Sequence, residues 1–398
     1  MKKIYIVSFV LLITVKLFAQ EPVKINNGNH TVSFSGVFST YMNWRDYAEN
    51  VTSKPEKNTF RLKDARFGME GKIGDIYEYK LQLDFANIGN AVIDPSSPAL
   101  YDANFTYKGF KKFANITLGY GRIPYSLSSL IEHEWSPYWT RAEIVKGDCF
   151  ARRDLGIKLT RSFWKDRVKA FAGVYTGVGE VVLTGTNDPS GSYEYIGRLE
   201  VSYPDKMPKE YADTKVRTTP NFALGINGRY TKRNLPTGTK FLTGEVGYLL
   251  DDTTLNFKVV NGEKFIYGAD FSVEYMGFSA QAEGHLIKGI PQNSSDPLLM
   301  GLPKTLTNGY FKAGGWFTQL NYFSKPIKTI FSVRYDELNA NDLVSGISKH
   351  LAASVCYQLN GYHSMIRAEF FRNLSQTESI NTNKWDNQWR IGWQLQVE

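Results

Sequence analysis

The sequence predicts an all-β fold: a transmembrane antiparallel β-barrel of about 16 strands, with 18 possible, whose long third extracellular loop folds into the lumen. Three observations predict it. Apolar and polar residues alternate with period two over most of the chain, in runs of about ten residues, the length that crosses a bilayer at a tilt. Aromatic residues gather at the ends of those runs as well as within them, among them Tyr41, Trp44, Tyr107, Tyr203, Tyr275, Phe278, Tyr335 and Trp389, as interfacial girdles do. Long and short connections follow one another in turn.

The runs fall near 31–44, 59–72, 76–87, 99–108, 113–122, 154–163, 167–176 and 193–203 in the first half. They continue near 221–231, 264–275, 276–286, 309–320, 328–336, 350–358, 364–372 and 387–397. In "IYEYKLQLDFAN" Tyr77, Tyr79, Leu81, Leu83 and Phe85 alternate with Glu78, Lys80, Gln82 and Asp84. "KFIYGADFSVEY" and "NQWRIGWQLQVE" repeat the pattern around Phe271 and Trp393, and alternation of this quality is the strand signal. "IGD", "GFKK", "FWKD", "MG", "FSKPI" and "NGYH" read as periplasmic turns. The extracellular loops fall at 45–58, 88–98, 123–153, 177–192, 232–263, 287–308, 337–349 and 373–386. "FLTGEVGYLLDDTTLNFKVV" could add a hairpin and is placed as an upward extension of its loop, while 204–220 is long for a periplasmic turn. The Asn-Gly pairs at 27–28, 227–228, 261–262, 308–309 and 360–361 are read as turn chemistry.

The first twenty residues, "MKKIYIVSFVLLITVKLFAQ", have a basic start, an apolar run and a small residue at Ala19. That is the layout of a secretory signal peptide and too short for a convincing membrane anchor. Residues 1–20 are therefore expected to be the signal and 21–398 one barrel domain in the outer membrane of a Gram-negative cell. With the three leader lysines taken from the 47 basic residues, the balance against 39 acids is about +5. It is spread along the chain, without the basic stripe of a nucleic-acid binder. Cys149 and Cys356 lie far apart, without metal-ligand spacing, and whether they pair is open. The 24 Tyr, 25 Phe and 8 Trp beside 34 Gly describe an aromatic-rich, turn-rich chain.

A soluble sheet would turn these apolar faces into a core, yet no helical layer exists to cover them, so they are expected to face lipid. The polar faces then enclose water. Cations on that face are Arg66, Lys72, Lys80, Lys158, Arg198, Arg229, Arg334, Arg367 and Arg390. Beside them stand Glu70, Glu78, Asp84, Asp102, Asp154, Glu200, Asp270, Glu274, Glu283 and Glu369. The third loop, "IPYSLSSLIEHEWSPYWTRAEIVKGDCFAR", carries Leu127, Leu130, Ile131, Trp135, Tyr138, Trp139, Ile144 and Phe150. So many apolar side chains imply a packed loop, and loops this long are usually functional. Arg152 and Arg153 sit where it rejoins the wall, at the level of the narrowing. The candidate pore-lining residues are Arg66, Lys80, Arg122, Arg141, Lys146, Arg152, Arg153 and Lys158.

"LGYGRIPYSL" resembles the glycine-rich strand and Pro-aromatic turn of the phosphate-selective porin O and porin P family. "ARRDLGIKL" is similar to that family's block after the third loop, and "RLKDARFGMEGKIGDIYEYKLQLDFAN" to its first hairpin. The resemblance runs from Thr59 to Tyr175 and returns in "YGADFSVEYMGFSAQAEGH". Pro124, Arg153, Asp154, Leu155 and Gly156 fall on matching blocks. It implies a sixteen-stranded, usually trimeric outer-membrane channel with an inward third loop, passing small hydrophilic solutes with a preference for phosphate-like anions. The family's ladder of lumen arginines cannot be placed on particular positions here. Acids and bases on the polar face are close to balanced, and the chain ends Val397-Glu398 rather than on an aromatic.

Other classes are weaker. Arg152 and Arg153 could instead form a strand-start ion pair with Asp154 or a loop glutamate. Glu132-His133-Glu134 has metal-ligand residue types, but neighbours in an irregular loop seldom converge. His363-Ser364 sits at a turn, no G-x-S-x-G exists, and "GYGRIP" lacks the Lys-Ser/Thr of a phosphate loop. No catalytic site, metal or cofactor is expected. The alternatives to a channel are a secreted β-sheet binding protein and a barrel serving adhesion or assembly.

Overall fold

The computed structural model describes residues 24–47, 58–86, 99–110, 113–145, 152–177, 191–234, 249–251, 256–258, 261–294, 304–306, 308–339, 342–343, 346–375 and 385–397. Residues 1–20, expected to be a signal peptide, lie outside them. A short first strand, β1 (Lys24–Asn27), turns at Asn27-Gly28 into β2 (His30–Tyr47). Then come β3 (Asn58–Ile73), β4 (Tyr77–Asp84), β5 (Ala99–Tyr107), β6 (Asn115–Arg122), β7 (Arg153–Phe163), β8 (Val168–Tyr175), β9 (Glu194–Tyr203) and β10 (Asn221–Arg233). A separate two-stranded ladder, β11 (Leu249–Asp251) with β12 (Asn256–Lys258), follows. The series ends with β13 (Gly262–Tyr275), β14 (Phe278–Pro291), β15 (Phe311–Ser324), β16 (Thr329–Asn339), β17 (Ser348–Asn360), β18 (Ser364–Asn373) and β19 (Trp385–Val397).

Each barrel strand pairs antiparallel with the next, and β19 pairs with β2 to close the ring. Closure leaves no edge, which hydrocarbon requires because an unpaired backbone group there has no water to bond. The ring has sixteen strands, at the runs read from the sequence. The β11–β12 ladder pairs with no barrel strand among the described residues, so the count is not eighteen. The seventeenth strand, β1, pairs with His30–Ser33 on the edge of β2 that β19 leaves at Gly36.

Outward alternation places Leu81 and Phe271 at 39% and 42% exposure, with Trp393 half-buried beside them. These are values for side chains on an outer wall, not in a core. Periplasmic girdle pairs include Tyr77–Tyr107 at 5.4 Å, Trp164–Tyr203 at 6.0 Å and Phe278–Tyr322 at 4.5 Å between ring centroids. Trp316–Tyr335 and Phe370–Trp389 mark the opposite rim. Tyr41 corrects the girdle assignment. It points inward at 4% exposure and packs on Trp139, because β2 carries its odd-numbered residues on the lumen face.

The tightest turn, Met276-Gly277, has φ of +50° and +84°, the two left-handed residues of a type I′ hairpin. A Cβ on Gly277 would stand 2.7 Å from the Phe323 carbonyl oxygen. Asn227-Gly228 is another correction. It lies mid-strand in β10, paired to Gly268 and Tyr267, so tertiary pairing overrides its turn preference. Asn261-Gly262 opens β13 rather than closing a turn.

The connection 204–220 is the largest departure from the pattern of short turns. It does not hang below the barrel; it enters it. The Tyr211 carbonyl accepts from Ser279 Oγ and Asn321 Nδ2, both at 2.8 Å, on the inner faces of β14 and β15. Ala212 packs with Phe323, Ile330, Cys356 and Met365, and Asp213 Oδ2 accepts from the Gly277 amide at 2.9 Å.

Candidate functional site: the inward loop and the wall it leaves open

The third loop begins with Ile123, whose amide donates to the Arg152 carbonyl at 2.9 Å and so closes the loop's neck. Ser126 then caps a single turn, α1 (Leu127–Leu130), in a reciprocal Ser126–Ser129 capping box. Leu127, Ile131, Tyr138, Trp139 and Ile144 are all buried. They pack on apolar side chains that break the polar register of the wall. Tyr125, Ile144 and Val145 meet Ile266, Ile287 and Phe317, while Tyr138 meets Ala352 and Phe371. Leu127 and Ile131 meet Met207 and Tyr211 of the inward connection. The packed loop expected from its apolar content is therefore present through Val145. Lys146, Cys149 and Phe150 lie outside the described residues.

Irregular backbone inside a barrel needs partners, and lumen charges supply them. Asp270 accepts from the Leu127 amide at 3.3 Å, Glu283 from Ser128 at 3.2 Å and Glu369 from Trp139 at 2.6 Å. Arg367 donates to the Glu134 carbonyl at 2.5 Å and Arg334 to the Thr140 carbonyl at 2.9 Å. Cys356, a free buried thiol, donates to the Pro137 carbonyl at 3.0 Å. Much of the polar face of β13–β19 thus holds the loop.

Glu132, His133 and Glu134 diverge. Glu132 pairs with Arg122, and Glu134 with Arg66. Burial pushes the Glu134 carboxyl up, but Arg66 and a backbone amide outweigh it and hold the group at about 2. His133 is buried with neither ring nitrogen hydrogen-bonded among the described residues. Burial, with Lys63, Arg141 and Arg367 nearby, keeps it neutral well below its ordinary range.

The candidate cations separate into three groups. Arg66 and Arg153 are buried and sandwich the Tyr101 ring at 3.8 and 3.6 Å. Arg66 pairs with Asp84 at 3.2 Å besides Asp64 and Glu134, and Arg153 with Asp102 at 3.1 Å. Among the described residues, Arg153 forms its ion pair with Asp102 and not with Asp154. Asp154 instead accepts from Thr176 Oγ1 at 2.5 Å and the Gly177 amide at 2.6 Å. In the second group, Arg122 donates to the Leu130 carbonyl at 2.5 Å, and Arg141 to the carbonyls of Ser128 and Ile131 and the Tyr211 hydroxyl. Arg141, like Arg367, is held by neutral acceptors. Arg152 is half-buried at the neck.

The third group faces open space. In the periplasmic half of β3–β8 the inward side chains Glu70, Lys72, Glu78, Lys80, Asn104, Thr106, Thr117, Lys158 and Lys169 are exposed or half-buried. Their counterparts on β9–β19, such as Arg198, Asp270, Gln281, Gln319, Ser354 and Arg367, are buried under the loop and the connection. The water-facing wall therefore lies on one side. Lys80 pairs with Glu70 at 2.6 Å and Lys72 with Glu78 at 3.5 Å. Lys158, midway along β7, has no ion pair among the described residues. Asp102 and Arg122 are its charged neighbours.

Sequence reading missed the inward connection and the apolar docking residues. A signal for the latter exists: Ile196, Ile266, Ile287, Phe317, Met365 and Phe371 occupy the register of polar neighbours.

A family profile, that of the phosphate-selective porin O and P family, matches residues 38–398. No curated protein matches the chain. Among solved structures, the chain is similar to the trimer form of in-vitro folded OmpT, an outer membrane protein of Vibrio cholerae. The TM-score is 0.58 at 12% identity, covering 92% of this chain and 99% of that one. The outer membrane channel DcaP of Acinetobacter baumannii gives 0.58 at 11% identity, covering 95% and 100%. An anion-selective porin from Comamonas acidovorans gives 0.58 at 10% identity, covering 92% and 100%.

Proposed function

The chain belongs to the phosphate-selective porin O and P family, and from that premise we propose that this outer-membrane channel passes small hydrophilic solutes by passive diffusion, with a preference for phosphate-like anions. The secreted sheet-protein alternative falls with the closed, apolar-faced barrel. The observation that carries the anion preference is Lys158, a half-buried cation on the open wall that forms no close ion pair among the described residues, with Asp102 and Arg122 as its charged neighbours. An anion passing it is attracted and a cation repelled, and selectivity needs such an excess where ions shed water. Arg141 and Arg367, hydrogen-bonded to neutral acceptors, keep further positive charge at the docked loop. Paired cations such as Lys72 and Lys80 contribute less, because each stands against a carboxylate.

We read the chain as a channel and not an enzyme, and as a homotrimer, the form in which the Vibrio cholerae OmpT structure is described. The test is planar-bilayer recording with the purified, refolded chain. Stepwise ohmic conductance, a reversal potential of anion sign in a KCl gradient and block by added phosphate support the reading. A reversal potential of cation sign overturns the preference. Absence of steps from well-folded protein overturns the channel and favours an adhesion or assembly role.

A further inference from the structure

We propose that Glu143, Asp336 and His350 form a divalent-cation site of the zinc class that ties the inward loop to the barrel wall. The three offer one ligand atom each, all within 4.8 Å of one another, from three different elements. Asp336 on β16 and His350 on β17 are direct cross-strand partners on the lumen face, both buried. Glu143 comes from the loop, in a 3-10 turn (Glu143–Val145) whose Ile144 and Val145 are fixed in an apolar cluster.

His350 Nδ1 lies 3.0 Å from Asp336 Oδ1 and 3.9 Å from Glu143 Oε1. Ligand bonds of about 2.0–2.2 Å around one ion place adjacent donors roughly 3.0–3.8 Å apart, so the Asp336–His350 spacing already fits and Glu143 has only to close in slightly. The Glu143 side chain is 15% exposed, the most accessible of the three. Arg334 Nε stands 3.4 Å from Asp336 Oδ2, which turns the other carboxylate oxygen toward the imidazole, as outer partners of metal ligands do. Two carboxylates and a neutral imidazole balance a dication. The nitrogen favours Zn2+ or Co2+ over Ca2+, Mg2+ or Mn2+, and water would complete the shell. The competing reading is a hydrogen-bonded Asp336–His350 pair with Glu143 as bystander.

Metal binding stands independently of the channel reading; only its effect on current rests on it. The full chain, refolded in detergent and stripped with chelator, is titrated with Co2+ while the visible d–d spectrum is followed, then with Zn2+ by equilibrium dialysis. One ion per protomer and a Co2+ spectrum are expected, with affinity reduced at least about tenfold by His350→Gln and by Glu143→Gln. If His350→Gln fails to fold, as heat-modifiable gel migration reports, Glu143→Gln on the loop still decides the matter. No stoichiometric binding to the wild type, or binding unchanged in Glu143→Gln, overturns the site and leaves the hydrogen-bonded pair.

Discussion

Trp139 is fully buried at the inner end of the loop, with Tyr41 at 5.3 Å on one side and the Arg367 guanidinium at 4.8 Å from its ring. Replacing it with alanine removes an aromatic that buries about 150–250 Å2, which with its cavity costs about 3–5 kcal/mol. The backbone anchor from the Trp139 amide to Glu369 at 2.6 Å survives the change. The cost therefore falls on loop docking and not on the barrel ladder. At about 1.4 kcal/mol per tenfold, docked and undocked forms shift by about 10²–10⁴. Trp139→Phe supplies the contrast. The indole N–H has no acceptor among the described residues, and a buried unpaired donor costs about 1–3 kcal/mol. Phenylalanine loses some area but sheds that penalty, so its net effect is within about 1 kcal/mol. Planar-bilayer recording should give Trp139→Ala a larger and noisier open-state current, and Trp139→Phe a current like the wild type. If Trp139→Ala folds, by heat-modifiable migration, yet conducts with wild-type amplitude and noise, this side chain does not hold the loop.

Neutralising Lys158 as Lys158→Gln should lower chloride-over-potassium preference about fourfold. That follows from roughly 0.4 kcal/mol on each ion at about 6 Å in water, after screening at 0.1 M salt; an unchanged reversal potential removes Lys158 from the filter. Arg153→Met leaves buried Asp102 with Lys80 at 3.9 Å as its remaining ion-pair partner, so stability in urea should fall by about 3–5 kcal/mol, with a smaller change in selectivity than Lys158→Gln. A larger change in selectivity would place Arg153 in the ion path. His133 is held neutral in the docked loop while an undocked loop takes a proton near pH 6.5. The undocked form then binds more protons, so docking weakens as pH falls below about 6.5, by about 1.4 kcal/mol per unit. Current noise should rise between pH 6.5 and 4.5 and lose that rise in His133→Phe; Glu134, held at about 2, stays ionised across this window. Asp213→Ala removes the acceptor of the Gly277 and Arg217 amides, at about 1–3 kcal/mol each, and trypsin should then cut faster at Lys209 or Lys215. Unchanged cutting would mean the connection is held elsewhere.

The local pattern carried most of the fold. Alternation with period two located all sixteen barrel strands, because each side chain's face is set by its own place in the pleat. Met276-Gly277 and Asn27-Gly28 were legible as turns for the same reason, while Asn227-Gly228 was not, since its strand neighbours outweigh its own preference. The apolar third loop was legible as packed because side chains such as Trp139 and Ile144 have nowhere else to go.

By itself, then, the sequence determined an inverted barrel of sixteen or eighteen strands and the loop that enters it, and the structure decided for sixteen. The tertiary structure decided which lumen charges meet water. Arg66 and Lys158 share one face pattern, yet Arg66 is covered by Glu134, 68 positions along the chain, while Lys158 stays open. It also decided that 204–220 turns inward beneath the loop, and that Glu143 meets His350. The physical reason is range: strand periodicity is written by neighbours in the chain, whereas coverage of a wall depends on the path of segments folded from elsewhere.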